Sequence, residues 1–242
     1  MPEAVIEVSN LRYRYPDGTA ALKGVDFQLD AGETVAVLGA NGSGKTTFLL
    51  HLLGLLLGEG DVRIRGARVE KKSLKVIRSK IGVLFQDSDD QLFMPTVEED
   101  VTFGPLNMGL TPEEARQRAR QALEMAGMEQ EAARAPYHLS AGQKRRVALA
   151  GVLAMDPEII LLDEPATFLD PPSRAALTTI LAGLPQAKLI VTHDIDLARE
   201  LATRAVFFED GRIAADGDLE EIVERFRWHN LRTAPPRPLS LG

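Results

Sequence analysis

The string Gly39-Ala40-Asn41-Gly42-Ser43-Gly44-Lys45-Thr46 constrains this chain more than any other stretch. It fits the phosphate-loop pattern G-x-x-x-x-G-K-[ST], follows a short apolar run at residues 34–38 and precedes a helical pattern predicted over 45–57. Strand, glycine loop, helix is the order that turns consecutive backbone N–H groups toward a phosphate at the positive end of a helix. Gly39, Asn41, Gly42, Ser43 and Gly44 then form the cradle, Lys45 reaches the β and γ oxygens, and Thr46 offers its hydroxyl to magnesium. Thr47 is counted with them as nucleotide-binding. The alternative is a plain glycine-rich turn, and average residue frequencies give such a string in about one chain of this length in a hundred before its context is counted.

Ile159-Ile160-Leu161-Leu162-Asp163-Glu164 reads as a buried strand ending in two carboxylates. Beside a phosphate loop, Asp163 can hold magnesium and Glu164 can take a proton from an attacking water. Acidic pairs after strands are also common helix caps, and it is the coupling to the loop that favours chemistry. No Asn-Lys-x-Asp string of the kind that reads guanine is present, so ATP is the expected nucleotide.

Residues 5–8 and 25–29 alternate apolar and polar around the turn Pro16-Asp17-Gly18 and predict an antiparallel flap. Strands are expected at 62–64 and 81–85. Thr111-Pro112-Glu113-Glu114 should cap a helix to about Met125. From residue 159 strands and helices alternate at 159–162, 173–181, 188–191, 194–201 and 205–208, which argues for a mainly parallel sheet covered by helices. The fold class expected is α/β, a P-loop NTPase core with an antiparallel β flap and an inserted helical subdomain at about 87–154. One domain over 1–230 is followed by a proline-containing tail, 231–242, expected to be flexible.

Composition narrows the function. With 28 basic and 35 acidic residues the formal charge is -7, which disfavours broad attraction to nucleic acid or anionic lipid. The chain has no cysteine, which rules out disulfides and thiolate metal sites. No secretory signal is evident at the start, and the most apolar stretch, 48–57, is far short of the roughly 20 residues a spanning helix needs. Any membrane role must run through partners.

Leu139-Ser140-Ala141-Gly142-Gln143, some twenty residues before Asp163, resembles the signature of the ATP-binding cassette (ABC) family, usually Leu-Ser-Gly-Gly-Gln. Physically it is another small-residue turn entering a helix, predicted over 144–153, that can bind a second anion. The resemblance spans roughly residues 5–228 and implies a head-to-tail dimer of cassettes, homodimeric or heterodimeric, with two ATP at the interface. Ser140, Ala141, Gly142 and Gln143 of one chain would meet the triphosphate held by the other. It further implies that Tyr15 stacks on adenine, that Gln86 touches magnesium and the attacking water, that Asp170 lies in the loop crossing to the other cassette, and that His193 contacts the γ-phosphate. Singly, Tyr15 could be core, Gln86 a surface residue and His193 a cap; their joint order favours the family reading. Ala141 departs from the usual first glycine of the signature, and Phe168 from a small residue in the crossing loop.

The run from Phe85-Gln86-Asp87-Ser88-Asp89-Asp90 through Phe103-Gly104-Pro105 resembles the energy-coupling-factor ATPases; together with Tyr15-Pro16-Asp17-Gly18 and Gln143-Lys144-Arg145-Arg146-Val147-Ala148-Leu149-Ala150-Gly151 it resembles most closely those driving cobalt or nickel import, with vitamin importers sharing much of it. A solvated acidic loop is the plain alternative. The resemblance implies an ATP-hydrolysing subunit on the cytoplasmic face of the membrane, peripheral to integral membrane transporter subunits whose coupling helices dock near the segment from Gln86 to Phe103. A soluble cassette acting on nucleic acid or ribosomes, or a nonhydrolysing ATP clamp, are the rivals. The first would need a long heptad insertion or a second cassette, and neither is in the sequence.

Overall fold

The computed structural model describes residues 3–228. Two sheets organise it. β1 (Ala4–Arg14) and β2 (Ala20–Asp30) pair antiparallel around the turn at Gly18, and β4 (Glu59–Ile64) with β5 (Ala67–Arg68) extends them into the order β2-β1-β4-β5. This is the expected flap, with longer arms and with the strand at 59–64 joined to it.

The second sheet holds β3 (Thr34–Leu38), β6 (Ile81–Leu84), β7 (Ile159–Asp163), β8 (Ala187–Val191), β9 (Arg204–Glu209) and β10 (Arg212–Asp218), in the order β10-β9-β3-β8-β7-β6. All pairings are parallel except β10 with β9. Strands covered on both faces read as unbroken apolar runs; Val35 to Leu38 and Ile159 to Leu162 are fully buried. Alternate residues face opposite sides. Val35, Val37, Ile159 and Leu161 pack toward the flap and α1 (Lys45–Leu52), whereas Ile160, Leu162 and Ile190 pack under α3 (Val97–Asn107), α4 (Pro112–Met125), α5 (Ala141–Ala154) and α6 (Pro171–Gly183). Ala36 and Leu38 join a third cluster with α7 (Ile195–Leu201) and α8 (Leu219–Arg225). A short helix, α2 (Leu74–Arg78), precedes β6.

Between β6 and β7 the chain forms helices and no strand. Capping boxes start α3 at Thr96, α4 at Thr111 and α5 at Ser140, each side-chain oxygen accepting from the N3 amide while the Glu or Gln at N3 returns to the cap amide. The helix predicted over 45–57 ends at Leu52 instead. Gly54 takes a left-handed φ of 61°, and the Leu55 and Leu56 amides both turn back to the Leu50 carbonyl, a glycine stop that the apolar run masked. The tail expected at 231–242 lies outside the described residues.

Phe48 joins the layers: fully buried, it meets Phe27 edge-on at 5.5 Å and Phe208 at 5.3 Å. Phe48→Ala should cost about 3–5 kcal/mol in the unfolding free energy measured by urea denaturation.

Candidate nucleotide site

The loop after β3 depends on left-handed glycines. Gly39, Gly42 and Gly44 have φ of 134°, 77° and 110°. A Cβ on Gly39 would sit 2.2 Å from the Phe208 carbonyl oxygen and one on Gly44 2.8 Å from that of Ala21, while Gly42 faces open space. Lys45, buried at the first position of α1, donates to the Gly39 and Ala40 carbonyls at 2.6 and 2.8 Å and so curls the loop around its own ammonium. Burial pulls the Lys45 ammonium below its ordinary pKa, and the Glu164 and Asp163 carboxylates oppose that pull. The Ser43 hydroxyl is buried in the cradle without a hydrogen-bond partner. Asn41 and Thr46 are exposed. Thr47 is buried, its hydroxyl 3.0 Å from that of half-buried Tyr15, which ties the flap to α1.

β7 and β8 are paired in parallel, with Asp163 level with Val191, so their carboxyl ends bring the carboxylates beside His193. Glu164 has a φ of 48°, its amide held by the Val191 carbonyl at 2.8 Å. Glu164 Oε2 receives the His193 Nδ1 contact at 2.8 Å, with the Thr167 hydroxyl at 3.3 Å and the His193 amide at 3.4 Å. Glu164 Oε1 is left as the open acceptor. The Asp163 carboxylate makes no hydrogen bond or ion pair with the described residues; burial pushes its pKa above the ordinary value, Glu164 adds to this, and Lys45 opposes it. A half-buried carboxylate with no hydrogen-bonding partner, in the field of Lys45 at the start of the helix that also carries the exposed Thr46, fits a divalent cation, which would supply the missing partner.

Ser140 caps α5, with Ala141 exposed at its first turn and Gly142 buried where a Cβ would lie 2.2 Å from the Ser173 hydroxyl. Gln143 Oε1 accepts from the Ser140 amide at 2.9 Å, and its Nε2 donates to Glu131 Oε1 at 3.5 Å. Among the described residues no hydrogen bond or ion pair joins Ser140 to the loop 39–46. Ala141 instead lines a cavity of about 680 Å³ with Gln86, Asp163, Lys144, Arg145 and Phe168. Asp170 caps α6, accepting from the Ser173 amide at 3.0 Å. Gln86 is exposed and its side chain makes no hydrogen bond within the described residues, whereas its carbonyl and that of Phe85 each accept from the Arg145 guanidinium at 2.5 Å. The sequence places Arg145 in the family-like run after Gln143 without giving it a role; it is only 4% exposed.

The sequence pattern of the ABC transporter family matches residues 22–167. This chain belongs to the ABC transporter ATPase family. Among relatives, the ABC cassette is 49% identical over 241 residues to a putative ABC transporter ATP-binding protein of Gloeobacter violaceus, covering 97% of each chain. It is 46% identical over 237 residues to the energy-coupling factor transporter ATP-binding protein EcfA of Methanocaldococcus jannaschii, covering 94% of this chain and 85% of that one. Its fold is similar to cbiO1 of Clostridium perfringens, described as part of the ABC transporter complex cbiONQ, with a TM-score of 0.84, 36% identity and 96% of each chain covered. A dimeric ATP-binding cassette in a post-hydrolysis state with ADP and Pi gives a TM-score of 0.79 at 33% identity over 88% of this chain and 98% of that one. The chain is an ABC ATPase of the energy-coupling-factor type. Within this cassette Phe168 is 88% exposed with a left-handed φ of 65°, an apolar ring held in solvent at the rim of the same cavity.

The glycines separate stability from binding. Gly42→Ala should fold, losing about 1–2 kcal/mol to its left-handed backbone, and should weaken ATP binding where the methyl enters the cradle. Gly39→Ala should lose clearly more stability, because backbone blocks its Cβ. Thermal unfolding and nucleotide titration of both variants check this.

Proposed function

We propose that this ABC ATPase powers an energy-coupling-factor importer for cobalt or nickel ions, as a peripheral subunit on the cytoplasmic face of the membrane that works in pairs. The observation that carries the catalytic part is the joining of Lys45, Asp163, Glu164 and His193 at the carboxyl ends of three adjacent parallel strands. Lys45, the loop amides from Gly39 to Thr46 and the Ser43 hydroxyl bind the triphosphate, Thr47 supports the loop, and Tyr15 receives the adenine. Magnesium, when bound, would neutralise phosphate charge, and Thr46, Asp163 and Gln86 are the residues that would hold it.

Glu164 acts as general base through Oε1, since Oε2 is committed to His193. His193 orients that carboxylate through Nδ1 and turns Nε2 to the γ-phosphate. Ser140 to Gln143 and Asp170 face the second cassette, of the same or a related chain. Pairing is supported by the lack, among the described residues, of any hydrogen bond or ion pair between this chain's own loop and Ser140, whose side-chain and cap bonds stay within its helix start, and by the dimeric relative. A membrane partner is supported by the transporter names of the relatives, and among the described residues no helix is long and apolar enough to cross a membrane. Phe93 and Phe103, exposed and edge-on at 5.0 Å, offer that partner an apolar foothold; Gln91, bonded to the Phe85 amide and Val83 carbonyl, does not.

The cobalt or nickel reading is supported by the resemblance carried by the segment 85–105 together with Tyr15-Pro16-Asp17-Gly18 and the run from Gln143 to Gly151. Among the described residues no group of three or more His, Cys, Asp or Glu could hold a metal ion, and the cargo belongs to the partners in this proposal. Vitamin import is the second reading, because vitamin importers of the energy-coupling-factor group share much of the pattern at 85–105. Glu164→Gln should keep ATP binding while phosphate release falls by about 100-fold or more, whereas Lys45→Ala should lose binding itself. Turnover of Glu164→Gln within a few fold of the unmodified protein would reject Glu164 as the base.

A further inference from the structure

The segment after β6 is held from two sides. Gln91 Oε1 accepts from the Phe85 amide at 3.0 Å and Gln91 Nε2 donates to the Val83 carbonyl at 3.0 Å. On the other side α5 reaches across: Arg145 donates to the Phe85 and Gln86 carbonyls, and Lys144 pairs with Asp89 at 2.6 Å. The backbone on both sides of Gln86 is thus clamped while its side chain stays open to solvent.

Burying a guanidinium is costly unless its donors are used. Arg145 is 4% exposed, makes no ion pair among the described residues, and its Nε has no partner. Burial lowers its pKa, with Asp87 giving electrostatic support. A cation placed at such cost only to hold two loop carbonyls makes that loop's position the purpose of the contact. Arg145 stands five residues after Ser140 on one rigid helix, about 7.5 Å along its axis.

We infer that Arg145 is a positioning residue that fixes Gln86 to the helix carrying Ser140, and so links the two nucleotide sites of a dimer. The inference rests on the two-chain reading above. There, Ser140 grips the ATP held by the partner and Gln86 meets the ATP held by its own chain, so a shift of α5 when Ser140 engages moves Gln86 with it. Such a link is a coupling between two sites, felt equally in both directions for binding. The Arg fork matches two carbonyls at once, whereas lysine offers a point charge that holds them less rigidly.

The test uses Arg145→Ala and Arg145→Lys in the full chain. In nucleotide-free protein, amide hydrogen exchange over residues 86–90 should be about tenfold faster in Arg145→Ala, as expected when charge-assisted bonds are lost, and intermediate in Arg145→Lys. With MgATP, the KM should stay within about twofold, kcat should fall about tenfold, and the Hill coefficient for ATP should drop toward 1. Unchanged exchange overturns the inference, as does a loosened segment with unchanged kcat and Hill coefficient. If Arg145→Ala does not fold, Arg145→Lys with an unaltered circular dichroism spectrum decides by the same readouts. Failure of the unmodified protein to hydrolyse ATP would instead defeat the two-chain ATPase reading, and the nucleotide-free exchange would still report on Arg145.

Discussion

The buried Lys45 ammonium is the interaction around which the site is built. It donates to two carbonyls of its own loop and lies in the field of Asp163 and Glu164. A lysine in that position must be compensated from several directions, and each compensation comes from a different element. β3 delivers the loop, β7 delivers the carboxylates, and β8 leads to the histidine that holds Glu164. Parallel pairing makes this cheap, since strands running the same way end on the same edge and put their following residues in one crevice.

The rest of the fold serves to keep that edge in place. Phe48, one turn into α1, anchors the loop's helix between the flap and the sheet. The Tyr15 and Thr47 hydroxyls tie the flap to the same helix. The helices between β6 and β7 present a second helix start at Ser140, capped by Gln143, that is free of the chain's own phosphate loop. In the proposed pair that helix start faces the ATP of the partner, and its lack of any hydrogen bond or ion pair to the chain's own loop among the described residues is the structural reason for reading the chain as half of a pair.

Much of this was legible in the sequence because the chemistry tolerates few alternatives. Glycines at Gly39, Gly42 and Gly44 are demanded by φ and close approach; the apolar run before Asp163 by burial on both faces; Thr111 by capping. What stayed hidden has physical reasons as well. β10, Arg-Ile-Ala-Ala-Asp-Gly-Asp, is an edge strand with one solvated face and few apolar residues, so its pairing with β9 left no run to recognise. The end of α1 was masked because Leu55 and Leu57 continue the apolar pattern past the Gly54 stop. The role of Arg145 stayed unread because its partners are carbonyls, which carry no sequence identity.

The central claim is that ATP is consumed by two chains together. Active-enzyme sedimentation measures it directly, following ATP turnover as the protein band moves. The account predicts that hydrolysis travels with a species of two chains, each of 26.4 kDa when both are this chain. Activity at full rate travelling with a single chain would contradict it.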